Sequence, residues 1–274
     1  MDYTANTLAE NLAFPEGPAF DPKGNLWCVE LHGGQLSRWG EDGILRHEAG
    51  GRPNGLAFDA AGRAWIANAE LCAIQRLDPS TGAFEIVADT LDGEPLRQPN
   101  DLAFDAVGNL LFTCPGGSDE APVGYVCCLA PDGKLTKIGD GLRFPNGLAL
   151  LDDGATLVVA ETRTRRLWKG AWDADHRQWH NPQPWAELDA PGGPDGMALG
   201  VDGLLYVAIF GGGQVRAVDA GGNVVRTYDL PGQNPTNVAF DPAGTLGLVV
   251  TEAERGLLLS LPDLGPGVPL YTGG

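Results

Sequence analysis

Six proline-led copies of one short motif run through this chain. They begin Pro15-Glu-Gly-Pro-Ala-Phe, Pro53-Asn-Gly-Leu-Ala-Phe, Pro99-Asn-Asp-Leu-Ala-Phe, Pro145-Asn-Gly-Leu-Ala-Leu, Pro194-Asp-Gly-Met-Ala-Leu and Pro235-Thr-Asn-Val-Ala-Phe. Their second positions hold Glu16, Asn54, Asn100, Asn146, Asp195 and Thr236, at intervals of 38, 46, 46, 49 and 41 residues, 44 on average. A period of this size built from short strands is the sequence signature of a β-propeller, in which each repeat buries its faces only by stacking on its neighbours. The expected fold is therefore all-β: a six-bladed propeller with four antiparallel strands per blade. Because the repeat covers nearly the whole chain, residues 1–274 are expected to form a single domain.

Each motif runs into a tight-turn signal: Asp21-Pro-Lys-Gly, Asp59-Ala-Ala-Gly, Asp105-Ala-Val-Gly, Asp152-Asp-Gly, Val201-Asp-Gly and Asp241-Pro-Ala-Gly. Asp opens such turns by accepting backbone N–H bonds, and Gly closes them with a positive φ. The runs beyond them, such as Thr156-Leu-Val-Val and Leu204-Leu-Tyr-Val-Ala, are strand-length and rich in β-formers. A second set of turn signals follows in several repeats (Glu41-Asp-Gly, Asp78-Pro-Ser-Thr-Gly, Pro131-Asp-Gly, Ala220-Gly-Gly-Asn), which gives strands a to d. No amphipathic helix of ten or more residues interrupts the pattern. Ring closure falls to the segment Tyr3 to Leu8, which precedes the first motif as a d strand precedes the others; Val268 to Tyr271 competes for that place.

Strand direction places the chemistry. Strand a is innermost, so all six second positions lie at one end of the central channel. The b–c loops open on the same face, among them Glu30-Leu-His32, Glu161-Thr-Arg163 and Glu252-Ala-Glu254. The acids at these strand ends are expected to make the mouth negative, with the Gly- and Pro-containing stretch Cys114 to Val123 as a flap over it.

With 18 basic against 36 acidic residues the net charge is −18, which argues against nucleic-acid and anionic-membrane partners. No stretch approaches the roughly 20 apolar residues of a membrane span. The start lacks a secretory pattern, and five cysteines without zinc spacing suit reduced thiols, so a cytoplasmic protein is expected. A piece that has lost its leader is the alternative. A monomer or small homo-oligomer is expected.

Glu16, Asn100, Asn146 and Asp195 together offer hard oxygen ligands with two formal negative charges. Such a set suits one divalent cation, Ca2+ first, with Zn2+, Mn2+, Mg2+ or Fe2+ as alternatives. The bland reading is that Asn, Asp and Thr after proline only cap the turn into the strand, and Asn54 and Thr236 could do no more than that. Capping does not explain why charged residues stand at two of the six positions.

Phe14-Pro-Glu16-Gly-Pro, Pro99-Asn100-Asp101, Phe144-Pro-Asn146-Gly-Leu-Ala and Pro194-Asp195-Gly-Met-Ala resemble the motifs of the gluconolactonase, senescence-marker-protein and luciferin-regenerating-enzyme family. The resemblance covers nearly the whole chain. It implies a six-bladed propeller with one divalent metal in the channel and hydrolysis of a sugar or other small lactone. It makes Glu16, Asn146 and Asp195 metal ligands, with Asn100 on metal or substrate; the related squid-type phosphotriesterase uses a similar set around calcium. Members that prefer sugar lactones often carry Arg two residues before the Asn100 position. Here Gln98 stands there, with Arg97 one residue earlier, which weakens the case for a polyhydroxylated substrate.

The expected reaction is attack of activated water on a metal-polarised carbonyl, with Asp195 or Asp101 as general base. Gln98, Arg97, Asn54 and His32 are the candidate substrate contacts. No Gly-x-Ser-x-Gly elbow or triad context supports a serine nucleophile. A non-catalytic propeller with a structural channel metal, and a phosphotriesterase-like hydrolase, are the competing readings.

Overall fold

The structure is a computed structural model that describes residues 3–40, 42–78, 80–117 and 120–273. Glu41, Pro79 and Ser118, which belong to the expected second turns and flap, lie outside the described residues. Six four-stranded antiparallel sheets follow one another along the chain. Blade 1 takes Pro15–Phe20, Leu26–Glu30, Gln35–Gly40 and Gly43–Glu48 as strands a to d. The a strands of blades 2 to 6 are Pro53–Phe58, Leu102–Phe104, Pro145–Leu151, Gly193–Leu199 and Pro235–Phe240. Blade 6 is completed by Asn6–Ala9 from the N-terminus, which pairs antiparallel with Leu257–Leu261. The N-terminal segment thus wins the closing position.

Two local devices fold each blade. At the a–b turn, Asp21, Asp59, Asp105 and Asp241 each accept a backbone N–H two residues on, at 2.9 to 3.0 Å. In three of these the second carboxylate oxygen takes an indole N–H: Trp27 at 3.1 Å, Trp65 at 2.9 Å, and Trp172 from the neighbouring blade at 3.0 Å. At the end of strand b, a buried side chain reaches back to the loop that enters strand a of its own blade. Glu30 accepts from Ala13 N–H, Asn68 from Arg52, Glu161 from Arg143 and Glu252 from Asn234.

This corrects the expectation of a mouth made negative by Glu30, Glu161 and Glu252. All three are buried, at 2%, 3% and 0% exposure. Several N–H and O–H donors, and at Glu30 the Arg46 guanidinium, satisfy these buried carboxylates.

The apolar core is divided among the blade interfaces, as Leu102, Phe104 and Phe112 packing with Trp65 illustrate between blades 2 and 3. Beyond Leu261 the chain turns across the a–b turns. Pro266 accepts from Val201 N–H, Val268 N–H donates to Leu199, and Thr272 accepts from Ala60 N–H. Val268 to Tyr271 therefore runs along the face opposite the motifs instead of closing the last blade. No helix among the described residues is long and apolar enough to cross a membrane.

Candidate metal and substrate site

The six second positions converge as expected, and every one is buried. Their strands are held together around the ring by hydroxyl bridges. Thr113 donates to the Asn146 carbonyl oxygen, Thr162 to that of Pro194 and Thr236 to that of Pro15, each at 2.8 Å. The spacing is close because the third motif position is glycine in four blades. A Cβ on Gly55 would lie 2.6 Å from the Asn100 carbonyl oxygen, and one on Gly147 would lie 2.3 Å from that of Asp195. Neither approach leaves room for a side chain.

The two blades without that glycine carry Asp101 and Asn237, which come from opposite sides of the ring and hydrogen-bond to each other. Asp101 also accepts from the backbone N–H groups of Leu102 and Leu148. Asn237 occupies the space beside Gly196, where a Cβ would clash with its amide.

Above this pair lies a cavity of about 760 Å³. Glu16, Asn54, Asn100, Asn146 and Asp195 line it, together with Gln98. Two candidates lie outside the lining: the His32 ring packs on Phe14 at 4.7 Å, and the Arg97 side chain borders a separate groove of about 510 Å³ with Tyr125 and Lys137. Thr236 is fully buried and spends its hydroxyl on Pro15 and Thr251. Asp101 sits beneath the lining residues.

The lining also includes Thr162 and Arg163, from the b–c loop expected on this face, and Phe14, Arg52, Phe144 and Phe210, which were not among the expected substrate contacts. A signal for three of these four was available. Phe14, Arg52, Gln98 and Phe144 each stand immediately before the motif proline, and all four face the cavity. Phe14, Gln98 and Phe144 have φ values of 61°, 52° and 59°, a left-handed turn that three blades share at this position.

The buried acids of the site repel one another. Burial pushes the Glu16 carboxyl well above its ordinary range, and repulsion from Asp195 and then Asp101 adds to this. Burial followed by repulsion from Asp101 does the same to Asp195. Asp101 is raised by burial to about 6, although three hydrogen bonds oppose the shift. Three carboxyls that resist ionising together are neutralised most directly by a cation.

The donors fit a hard one. Asn146 donates its amide nitrogen to Thr162 at 3.3 Å, which leaves its carbonyl oxygen as the available donor atom toward the channel. Among the described residues no three His, Cys, Asp or Glu side chains gather at ligand range, so amide oxygens have to complete any set.

The SMP-30/Gluconolactonase/LRE-like region matches residues 14–254. The chain belongs to that family. It is 30% identical to diisopropyl-fluorophosphatase of Loligo vulgaris, over 90% of this chain and 88% of that protein. It is 27% identical to gluconolactonase of Zymomonas mobilis, over 86% and 76% of the two. A solved gluconolactonase from Xanthomonas campestris superposes with a TM-score of 0.84 at 28% identity, over 95% of this chain and 90% of that one. The family resemblance and the six-bladed fold expected from the motifs are thus both borne out.

Proposed function

We propose that this protein is a metal-dependent hydrolase that opens a small lactone or similar carboxylic ester in the cytoplasm. The observation that carries the reading is that Glu16, Asn100, Asn146 and Asp195, all buried, line one cavity large enough for such a substrate. These four residues would hold a single divalent cation, Ca2+ first. When bound, the cation supplies Lewis-acid polarisation of the carbonyl.

The remaining work falls to the chain. Thr162 fixes the Asn146 amide, and the hydroxyl bridges hold the inner strands at constant spacing. Asp195 lines the cavity and accepts the proton of the attacking water, while Asp101 lies behind it and raises its basicity. Asn100, Gln98 and Asn54 line the same cavity and would hydrogen-bond the ester. The ring C–O bond then breaks, the proton passes to the departing alkoxide, and a hydroxy acid leaves.

Lactone opening releases acid, so a pH-indicator assay over a lactone panel with Ca2+, Mn2+, Zn2+ or Mg2+ tests the proposal. Turnover should vanish on chelation, return with metal, and fall at least 100-fold in Asp195→Ala with the fold retained. Full activity after chelation would overturn the mechanism. A phosphotriesterase reading is favoured by the squid relative, and a fluorophosphate ester in the same panel tests it. Metal that raises the melting temperature without any turnover would leave a structural ion.

A further inference from the structure

Five blades send a further residue to the cavity by one rule of register. It stands one place past the strand-b partner of the motif proline: Leu31 after Glu30, Ala69 after Asn68, Thr162 after Glu161 and Phe210 after Ile209. In blade 3, Pro115 follows the last residue of strand b and does the same. Four of these five side chains carry no polar atom. The fifth, Thr162, has its hydroxyl engaged already, donating to the Pro194 carbonyl oxygen at 2.8 Å and accepting from Asn146 at 3.3 Å. Backbone donors are spent as well: the N–H groups of Leu31, Ala69 and Thr162 go to the carbonyl oxygens of Phe14, Arg52 and Phe144, and Pro115 has none.

The apolar character is strongest where blade 5 meets blade 1 at the mouth. The half-buried Phe14 and Phe210 rings lie 6.4 Å apart, centre to centre, with their planes at 34°. A group inserted between two rings needs roughly 3.5 Å on either side, so these rings make one continuous wall and not a slot. Phe14 is held from both directions: its N–H donates to the Leu12 carbonyl oxygen at 3.1 Å, and its own carbonyl oxygen accepts from Leu31 at 2.9 Å. Its φ of 61° is costly for a bulky residue and persists where the surrounding bonds impose it. The wall is therefore preformed.

We propose that Phe14 and Phe210, with Leu31 beside them, form an apolar subsite that selects a lactone carrying an aliphatic or aromatic substituent over a polyhydroxylated one. This deepens the hydrolase reading and rests on it for the word substrate. Asn54, Gln98 and Asn100 come from blades 2 and 3, so the substituent of an ester held there would extend across the ring toward the two phenyl rings. A hydroxyl laid against that wall loses its water and gains no partner, a cost of roughly fivefold or more in binding. A methylene in the same place gains about fourfold.

The test compares γ-alkyl butyrolactones, from methyl to hexyl, with glucono-δ-lactone in the metal-loaded protein and in Phe14→Asn/Phe210→Asn. Asn suits the positive φ at position 14. In wild type kcat/KM should rise about threefold per methylene over the shorter chains, and the hexyl lactone should exceed the sugar lactone by roughly 100-fold. The double variant should rise by less than about 1.5-fold per methylene, while Phe210→Leu, still apolar, should keep most of the slope. A second readout is independent of turnover: calorimetric binding of the matching 2-alkylcyclopentanones, which cannot be hydrolysed and should show the same slope and the same loss. Where the double variant does not fold, Phe210→Asn alone carries the comparison. A flat series in wild type, a preference for the sugar lactone, or an equal slope in the folded variant overturns the subsite while leaving the hydrolase intact. Ketone binding that strengthens with chain length and depends on the phenyl rings, without turnover of any lactone, would keep the subsite and remove the hydrolase.

Discussion

The Thr236 hydroxyl donates to the Pro15 carbonyl oxygen at 2.8 Å, across the junction where the last blade meets the first. The Thr236 hydroxyl oxygen also lies 2.8 Å from the Thr251 hydroxyl, and the Thr236 side chain hydrogen-bonds Glu16. Thr236 therefore belongs to ring closure, and its effect on the site passes through Glu16. Thr236→Val keeps the shape and removes the donor, leaving a buried carbonyl unsatisfied. Such a loss costs about 1–3 kcal/mol. Urea denaturation should report that loss for Val and little for Thr236→Ser; equal stability of all three would show that the bridge contributes nothing.

Glu252 is fully buried and accepts backbone N–H bonds from Asn234, Glu254 and Arg255 at 2.9 to 3.0 Å. Removing the carboxylate in Glu252→Ala orphans three donors at once, an expected loss of roughly 3 kcal/mol or more. Glu70 is exposed on the rim, and Glu70→Gln should change stability by less than about 0.5 kcal/mol. If Glu252→Ala instead unfolds at the wild-type urea midpoint and only shifts kcat/KM, then its charge acts on substrate and the strut assignment fails.

How far the chain was readable follows from which signals repeat. The six motifs recur at a regular period, so the blades, the strand order and the buried ring of second positions could be read directly. The strand-end acids misled because a glutamate before a loop normally points to water. Only the folded chain shows the N–H groups of Ala13, Arg143 and Asn234 converging on them. Asp101 and Asn237 occupy the glycine position of the motif, and their pairing needs opposite blades to face each other, a fact of ring geometry rather than of local sequence. The pre-proline residues were visible but carry no shared chemistry; Phe14, Gln98 and Phe144 face the cavity from a shared left-handed turn, and Arg52 does so without it.

Asp101 gives the cation-free protein a defined response to pH. Its folded value of about 6 lies above the ordinary 3.8, so the folded state holds a proton that the unfolded chain has released. Below pH 4 both states are protonated and no penalty exists. Between about 4 and 6 stability falls, and above 6 the penalty levels at on the order of 3 kcal/mol. Asp101→Asn removes this titration. In chelator, wild type should lose stability relative to Asp101→Asn as pH rises from 4 to 7, as read from urea midpoints. A constant offset between the two across that range would mean that Asp101 does not titrate there.

The tail after Leu261 touches the a–b turns of five blades and leaves the mouth alone. Pro266 packs beside Gly244, Val268 bonds Leu199, the Tyr271 hydroxyl reaches the Gly154 turn, and Thr272 and Gly273 meet Ala60 and Phe104. Tyr271 also joins the apolar cluster between blades 2 and 3. Because each blade contacts mainly its neighbours, a strap across five of them couples their opening. Ending the chain at Gly265 should lower the melting temperature by several degrees, and Tyr271→Ala should cost about 1–2 kcal/mol for its half-buried ring. Hydrogen exchange at the Ala60 and Val201 amides should accelerate in the shortened chain, since both lose their acceptors. Binding at the opposite face should change less than twofold. Unchanged exchange at both amides would show that the tail does not hold the turns.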